Sequence, residues 1–500
     1  MEIPRLPYET FCNIAQESDR STLRTLRLVS RQSCAAATRI LFSKIFIKPD
    51  RLSLKHIVDL MTDDSLRNFP RSLLLSFPVC DHCRQRCDCE ETPSADSTIE
   101  YFTSIMKLVL TQFFNKAHTL EVVFPRWHNS CNKIVCRFAP DDILHGIFGL
   151  LIIRRKRQHL RPIDSLQIED LTLGGEGKRM PHERYQREMR EAINTLQSLH
   201  ITIRAATWHT EPLINLYYEI EHLWLSNPFP YLKSLYLGMD ETAWGAKPLF
   251  KTSHLQFPVL ENLTLRNYML LYRSQLAWIL SIDTLKSLTL WTCSIPWLIK
   301  TTAESRDLWK LDTTDWIKLK ECLADYPYRE GTMLFYQNSM RWNHISAQIA
   351  DHLPNLEHLQ VTGISTASCL LQPVFQATWT PPQHILDVLA CFGNLTFGKF
   401  QGPINDFAEY LYSVASDDNL NKYPSKRWTI RTEPPCALTK LGPVWEDRPL
   451  VSRLDPATLR HVGGAIGTDY LWMAEAFTDD FAALAELFDT VNARAFANRR

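Results

Sequence analysis

Three apolar stripes at helical spacing open the chain. Leu6-Pro7 precedes Phe11, Ile14 and Ala15, an i, i+3, i+4 pattern on a short helix whose first turn suits proline. Asp19 or Ser21 can cap a second helix bearing Leu23, Leu26 and Val29. A third stretch, Ala37-Thr-Arg-Ile40-Leu41-Phe42, repeats the spacing and runs into Ile45-Phe46-Ile47. Helices this short cannot bury all their apolar faces on one another, so the rest of the chain or a partner must cover the remainder. From about residue 160 the pattern becomes a recurring Leu-x-x-Leu-x-Leu phrase. It occurs at Leu196-x-x-Leu199-x-Ile201, Leu232-x-x-Leu235-x-Leu237, Leu260-x-x-Leu263-x-Leu265, Leu285-x-x-Leu288-x-Leu290 and Leu356-x-x-Leu359-x-Val361, with an earlier copy around Leu166 to Leu173. Residues two apart in a strand share a face, so each Leu-x-Leu pair points into a core and its neighbours point out. Near the C-terminus, Pro424 to Pro449 reads as irregular. Asp469 to Ala497 reads as helix, with Leu471, Phe477, Phe481, Leu484, Leu487, Phe488 and Val491 on one face.

The string Leu6-Pro7-Tyr-Glu9-Thr-Phe11-Cys-Asn-Ile14, then Leu23-Arg-Thr-Leu26-Arg27-Leu28-Val29-Ser30-Arg31, then Ala37, Leu41-Phe42 and Ile45, resembles the F-box in its fungal form. The resemblance covers about residues 3–48. It implies a trihelical module that docks on the small adaptor subunit of SCF ubiquitin ligases. In the family, the Leu-Pro start and apolar positions of the following helices make that contact, which here are Leu6, Pro7, Phe11, Ile14, Leu26 and Val29. The chain departs from the family where an aromatic usually follows the Val-Ser-Arg segment, having Gln32-Ser33-Cys34 instead.

The leucine phrases resemble leucine-rich repeats. Steps of 36 residues (199 to 235), 28 residues (235 to 263) and 25 residues (263 to 288) separate their middle leucines, the last two within the family's range of about 20–29. Leu285, Leu288, Leu290, Cys293 and Ile295 match the cysteine-containing repeat, and Leu260 to Leu270 matches it except for Tyr268 at the cysteine place. A solenoid of this kind would line one concave surface with His200, Tyr236, Thr264, Arg266, Thr289, Trp291, His358 and Gln360. That set is neutral and partly aromatic, which suits a protein or peptide partner better than a polyanion. The step from Leu288 to Leu359 is too long for one repeat and accommodates either degenerate units or an insertion. Its aromatic-rich span, 296–352, reads as core rather than as a binding site.

Charge adds little to partner choice: 55 Lys+Arg stand against 55 Asp+Glu in 500 residues. A balanced chain argues against nucleic acid or an acidic membrane as the main partner. No signal segment is legible after Met1, and the longest apolar run, Ile143 to Ile153, is well short of the ~20 residues a membrane span needs. Thirteen cysteines, an odd number, then imply reduced thiols in the cytoplasm or nucleus. Cys80-x-x-Cys83-x-x-x-Cys87-x-Cys89 is open to two readings, a zinc half-site or thiols in a charged loop. The second half is awkward, since Cys87-x-Cys89 is tight and Cys131 and Cys136 are distant, so no metal is assigned. Arg154-Arg-Lys-Arg157 is similarly open, to a nuclear-import or phosphate-contacting patch and to the solvated end of a helix. Nucleophile, zincin and dinucleotide motifs are missing and glycine is scarce (16), so no catalytic residue and no cofactor are assigned.

The expected architecture is α+β: an F-box over 1–48, a helical connecting region with the cysteine loop over 49–160, a leucine-rich-repeat-like array over 161–400 with an insertion at 296–352, and a C-terminal cap over 401–500. The expected function is non-enzymatic. The F-box would hold the adaptor and cullin scaffold of an SCF-type ligase, and the repeat surface, through His200, Tyr236, Arg266, Trp291, His358 and Gln360, would hold a protein substrate. The alternative is a repeat-type interaction scaffold independent of ubiquitin ligation.

Overall fold

The structure is a computed structural model that describes residues 7–77, 95–124, 140–173, 183–205, 229–239, 255–291, 313–318, 333–338, 342–362 and 489–498, with shorter stretches between them. Helix and strand are mixed, and the strands of the main sheet run parallel. The chain divides into two compact units, Met1–Ala206 and Thr207–Arg500.

In the first unit, α1 (Tyr8–Glu17), α2 (Arg20–Leu26) and α3 (Arg31–Leu41) come first. Capping defines their ends. Pro7 is the N-cap of α1. The Asp19 carboxylate accepts the Thr22 amide at 2.7 Å, and Ser30 and Ser33 close a capping box at the start of α3. The shared core is small, made of Ala15, Leu23, Ala36 and Ala37, with Phe11, Cys12, Leu26, Ile40 and Leu41 packed partly against it.

Strands and helices then alternate: β1 (Lys44–Ile47), α4 (Arg51–Thr62), β2 (Ser72–Ser76), α5 (Ala95–Thr111), β3 (Thr119–Val123), α6 (Pro140–Arg155), β4 (Ser165–Leu173), α7 (Glu183–Ile193) and β5 (Ser198–Ala205). Each strand pairs in parallel with its neighbour in sequence, which is possible because a helix carries the chain back each time. Two buried rows run across the ladder: Ile45, Leu73, Leu120, Leu166, Leu199, and beside it Ile47, Leu75, Val122, Ile168, Ile201. The stretch 49–160, read from the sequence as a helical connector, therefore carries strands β2 and β3 between its helices. Its phrases are degenerate: Pro70 and Ala117 stand where later copies have leucine, and both are buried.

The second unit repeats the plan with β6 (Ser234–Met239), β7 (Asn262–Arg266), α8 (Arg273–Leu280) and β8 (Ser287–Trp291). The chain next forms the antiparallel part of a second sheet from β9 (Leu298–Thr302), β10 (Trp316–Lys318) and β11 (Met333–Asn338), in the order β10-β11-β9, with Trp445–Glu446 pairing in parallel on the other side of β9. It returns through α9 (Trp342–His352) to β12 (His358–Thr362), which pairs directly with β8. The residues between Trp291 and His358 thus leave the ladder and come back to it one step on. Trp316 from this excursion is core: it stacks on Tyr272 at 5.2 Å and donates to the Leu271 carbonyl at 3.2 Å. Residues 489–497 are helical, with Val491 buried, and Arg494 donates to the Ala350 and Leu353 carbonyls at 2.8 and 2.9 Å. That satisfies the open carbonyls at the end of α9.

One device recurs at the foot of the strands. A single carbonyl accepts two successive amides of the next strand's start: Ser43 from Arg71 and Ser72, Arg71 from His118 and Thr119, His118 from Asp164 and Ser165, and Asp164 from Gln197 and Ser198. In the second unit Lys233 serves Glu261 and Asn262, Glu261 serves Lys286 and Ser287, and Lys286 serves Glu357 and His358, at 2.8–2.9 Å throughout.

Two polar side chains show how the loops are held. Arg154 does not belong to a solvated basic run. It is fully buried and donates to five carbonyls, those of Arg161 (2.7 Å), Leu110 (3.1 Å), Phe113 (3.3 Å), Phe114 (2.8 Å) and Ala117 (2.9 Å). Arg155, Lys156 and Arg157 are the exposed members. Burial pulls the Arg154 guanidinium down to about 10, which leaves it charged at neutral pH. Cys293, also fully buried, donates its thiol to the Leu265 carbonyl one step back at 3.3 Å, and burial pushes that thiol up to about 12.

Replacing Arg154 with Met orphans five carbonyls and is expected to cost about 3 kcal/mol or more. Arg155→Ala is expected to stay within about 0.5 kcal/mol. Urea unfolding followed by circular dichroism checks both. Iodoacetamide applied to the native chain at about pH 8 is expected to modify half-buried Cys12 and Cys34 and to spare fully buried Cys293 until the chain is unfolded; peptide mapping reads the outcome.

Candidate functional site

Two surfaces carry side chains whose exposure needs a reason. The first belongs to α1–α3. With the contact face taken by alanine, larger apolar residues are left outside: Ile14 is 41% exposed, Leu28 87% and Val29 66%. Pro7 is exposed as well, whereas Phe11 and Leu26 are half-buried against the core of Ala15, Leu23, Ala36 and Ala37. Leu6 lies outside the described residues. Leu28 and Val29 occupy the turn after α2, held by Leu28 N–H to the Thr25 carbonyl (2.9 Å) and Val29 N–H to the Leu26 carbonyl (3.2 Å), just before the Ser30–Ser33 capping box. Ser33, standing where the family resemblance leads one to expect an aromatic nearby, is buried and closes that box. Leu28 was not among the residues singled out from the sequence. The available signal was three apolar residues in the four positions Leu26 to Val29, more than one helix face can bury.

The Asp19 carboxyl is held below its usual range by the Thr22 amide and the Ser21 hydroxyl. A lowered carboxylate pKa means the cap is fully present above the ordinary range and is lost as pH falls through the lowered value. On the far side of α2, Arg20 sits 5.8 Å from the Phe46 ring centroid and Lys44 sits 5.9 Å from it.

The second surface is the outward face of the second unit's parallel strands. Pairing places Tyr236, Thr264, Thr289 and Gln360 in one row, with Gly238, Arg266, Trp291 and Thr362 in the next. His358 shares the row of Ser234, Asn262 and Ser287. Trp291 is 44% exposed, and the Arg266 guanidinium carbon lies 5.0 Å from its ring centroid. A Cβ on Gly238 would come within 3.0 Å of both the Tyr236 ring and the Arg266 Cβ. The absence of a side chain at 238 is therefore what lets tyrosine and arginine close over that strand. Five of the residues named from the sequence (Tyr236, Arg266, Trp291, His358 and Gln360) share this surface.

His200 belongs to the first unit's ladder, in the row of Phe46, Leu74, Glu121 and Gln167, with its Nε2 3.4 Å from the Thr202 hydroxyl. That face has charges of both signs that meet one another. Lys44 pairs with Glu121 at 2.6 Å, Ser72 donates to the same carboxylate at 3.0 Å, and Gln167 donates to Glu169.

Among the described residues no cluster of histidine, cysteine, aspartate and glutamate is arranged to hold a metal ion. The Cys80–Cys89 cluster, Cys131 and Cys136 lie outside the described residues. No described helix is long and apolar enough to cross a membrane. The chain matches no protein-family model and no curated protein.

Because Leu28 and Val29 lie outside the alanine core, Leu28→Ser and Val29→Ser are expected to change stability by no more than about 0.5 kcal/mol. Ala36→Leu is expected to cost about 1–3 kcal/mol by overpacking. Thermal unfolding of the three variants separates surface from core.

Proposed function

We propose that this chain is the substrate-recognition subunit of an SCF-type (cullin-RING) ubiquitin ligase, acting in the cytoplasm or nucleus. α1–α3 act as an F-box and the parallel strands as a leucine-rich-repeat-like array closed by the C-terminal helix. The single observation that carries the reading is the exposure of Leu28 and Val29, together with a partly exposed Ile14, on a helical module that has a small core of its own in Ala15, Leu23, Ala36 and Ala37. A surface of that kind marks a protein contact, because folding does not need it and water disfavours it. Two of those residues, Ile14 and Val29, are among the positions that the F-box resemblance assigns to the adaptor; of the others, Pro7 is the N-cap of the first helix and Phe11 and Leu26 pack partly against the core.

In this reading the chain performs no chemistry of its own. The α1–α3 face binds the adaptor and through it the cullin scaffold, and the strand face of the second unit binds a protein substrate. The rate gain comes from holding a substrate lysine near a ubiquitin-charged enzyme carried elsewhere in the complex, which turns a bimolecular encounter into an effectively unimolecular one.

Burying a Leu or Val side chain contributes about 1.5–3 kcal/mol, so Leu28→Ser/Val29→Ser is expected to weaken adaptor binding by about two orders of magnitude. Co-purification of the adaptor with the wild-type chain and with the double variant checks it. Equal recovery from both, or none from either, overturns the assignment.

A further inference from the structure

The turn before β3 and the turn after α6 meet at one corner of the first unit, and both are basic. Residues 112–118 and 155–163 contain Lys116, Arg155, Lys156, Arg157 and Arg161 and no Asp or Glu. The Arg161 amide donates to the Asn115 carbonyl at 2.8 Å, and buried Arg154 reaches across to the Phe113, Phe114 and Ala117 carbonyls. Lys116 therefore lies between two residues, Asn115 and Ala117, that are each bonded to the end of α6 or to the turn after it. Arg161 is matched by Asp164 at 3.1 Å. Lys116, Arg155, Lys156 and Arg157 are exposed, and among the described residues none of these four side chains has a hydrogen-bond or ion-pair partner.

Two ordinary reasons for cations at a helix end do not account for them. Basic side chains often cap the last carbonyls of a helix. Here the Ile153 and Arg154 carbonyls already accept the Lys156 and Arg157 amides at 3.1 and 2.9 Å, and the carbonyls at the end of α5 are taken by Arg154. Nor is the run a free basic peptide, since Arg154 is buried and Arg155 is the last residue of α6. Gathering like charges in one corner costs stability unless an opposite charge meets them.

The size and shape of the corner narrow the choice of anion. Two adjoining turns at the ends of helices ~8–10 Å apart span about three residues of extended chain at ~3.3 Å each. A nucleic-acid strand needs rings on which to stack its bases, and Phe113 and Phe114, the aromatic residues of these turns, are half-buried and buried. Four basic residues alone hold an anionic bilayer only weakly. A run of carboxylates fits, each arginine able to take one through two parallel N–H groups and each lysine as a point charge.

We propose that Lys116, Arg155, Lys156 and Arg157 dock a short acidic run, about three consecutive Asp or Glu residues, of a partner protein. This surface is built from residues other than those of α1–α3 and of the second unit's strands, and it stands whether or not the ligase reading does.

Fluorescence polarisation of a labelled tetraglutamate peptide, titrated with the full-length chain, tests the proposal. Binding that weakens as salt rises is expected. Lys116→Gln/Arg157→Gln is expected to bind about tenfold more weakly. Lys48→Gln/Lys55→Gln, which removes the same charge from exposed positions in and before α4, is expected to bind as wild type does. Circular dichroism is expected to be unchanged in both. No binding of the peptide, equal binding by wild type and Lys116→Gln/Arg157→Gln, or equal loss from both double variants overturns the inference. So does tighter binding of duplex DNA or of phosphatidylserine vesicles than of the peptide. Adaptor co-purification on the same preparations reports on the ligase reading separately.

Discussion

A parallel strand that slips by one residue turns every leucine it carries to the opposite face, so the register between neighbouring strands decides what is core and what is surface. Here register is set before each of these strands begins. The carbonyls of Ser43, Arg71, His118 and Asp164 in one unit, and of Lys233, Glu261 and Lys286 in the other, each take two consecutive amides from the following step. A shared acceptor leaves the incoming strand one alignment. The buried rows follow from it, and so do the outward rows: Arg266 meets Trp291, rather than Thr289, because Asn262 meets Ser287. The same device joins β8 to β12 across the long excursion through β9–β11, so that an intervening sheet leaves the alignment of Leu288 with Leu359 undisturbed.

Between strands the chain must turn through helix ends, where carbonyls lose their intrahelical partners. The structure meets this need with long or polar side chains sent inward. Arg154 gathers the carbonyls after α5, Arg494 those at the end of α9, and Gln275 accepts the Leu271 and Tyr272 amides while donating to the Gly245 and Met269 carbonyls. Asn267, in the left-handed region at φ 57°, and Cys293 do the same after β7 and β8, each reaching back 28 residues to the preceding step. Burying a cation costs several kcal/mol in desolvation, and Arg154 offsets it with charge-assisted hydrogen bonds rather than with a carboxylate. These contacts make each step depend on the last.

The inward leucines and outward alternation from Leu196 onward were legible because the phrase there keeps its leucines and a two-residue period reads directly as faces. Earlier steps hide the same geometry. Phe42, Pro70 and Ala117 stand in for the first leucine, and Leu73-Leu74-Leu75 has no alternation to read. Arg154 was misread because arginine is seldom fully buried and its neighbours in sequence are exposed. On the strand face, the outward residues could be named one by one, but their rows could not. Rows depend on which strands pair, and β8 pairs with a strand far along the chain. The contact of Tyr236 with Gly238 is likewise invisible in a string of letters, since a glycine in a strand has several explanations.

The small core of α1–α3 and its apolar exterior have one cause. Ala15 of α1 and Ala36 and Ala37 of α3 pack around Leu23 of α2, and a core of that size leaves Leu28 and Val29 outside it and Ile14 partly exposed. Leu28 and Val29 therefore add little to folding through burial, and the module has besides its core the caps at Asp19 and Ser30 and the Phe46 ring 5.8 and 5.9 Å from the Arg20 and Lys44 cations, worth about 0.5–1 kcal/mol for each cation. Stability held in caps and in a small core leaves Leu28 and Val29 unconstrained by packing. The strand face of the second unit follows the same logic. Its register is held at the strand feet by backbone, its core is held by leucine, and Arg266 on the outward face lies over the Trp291 ring of the next strand.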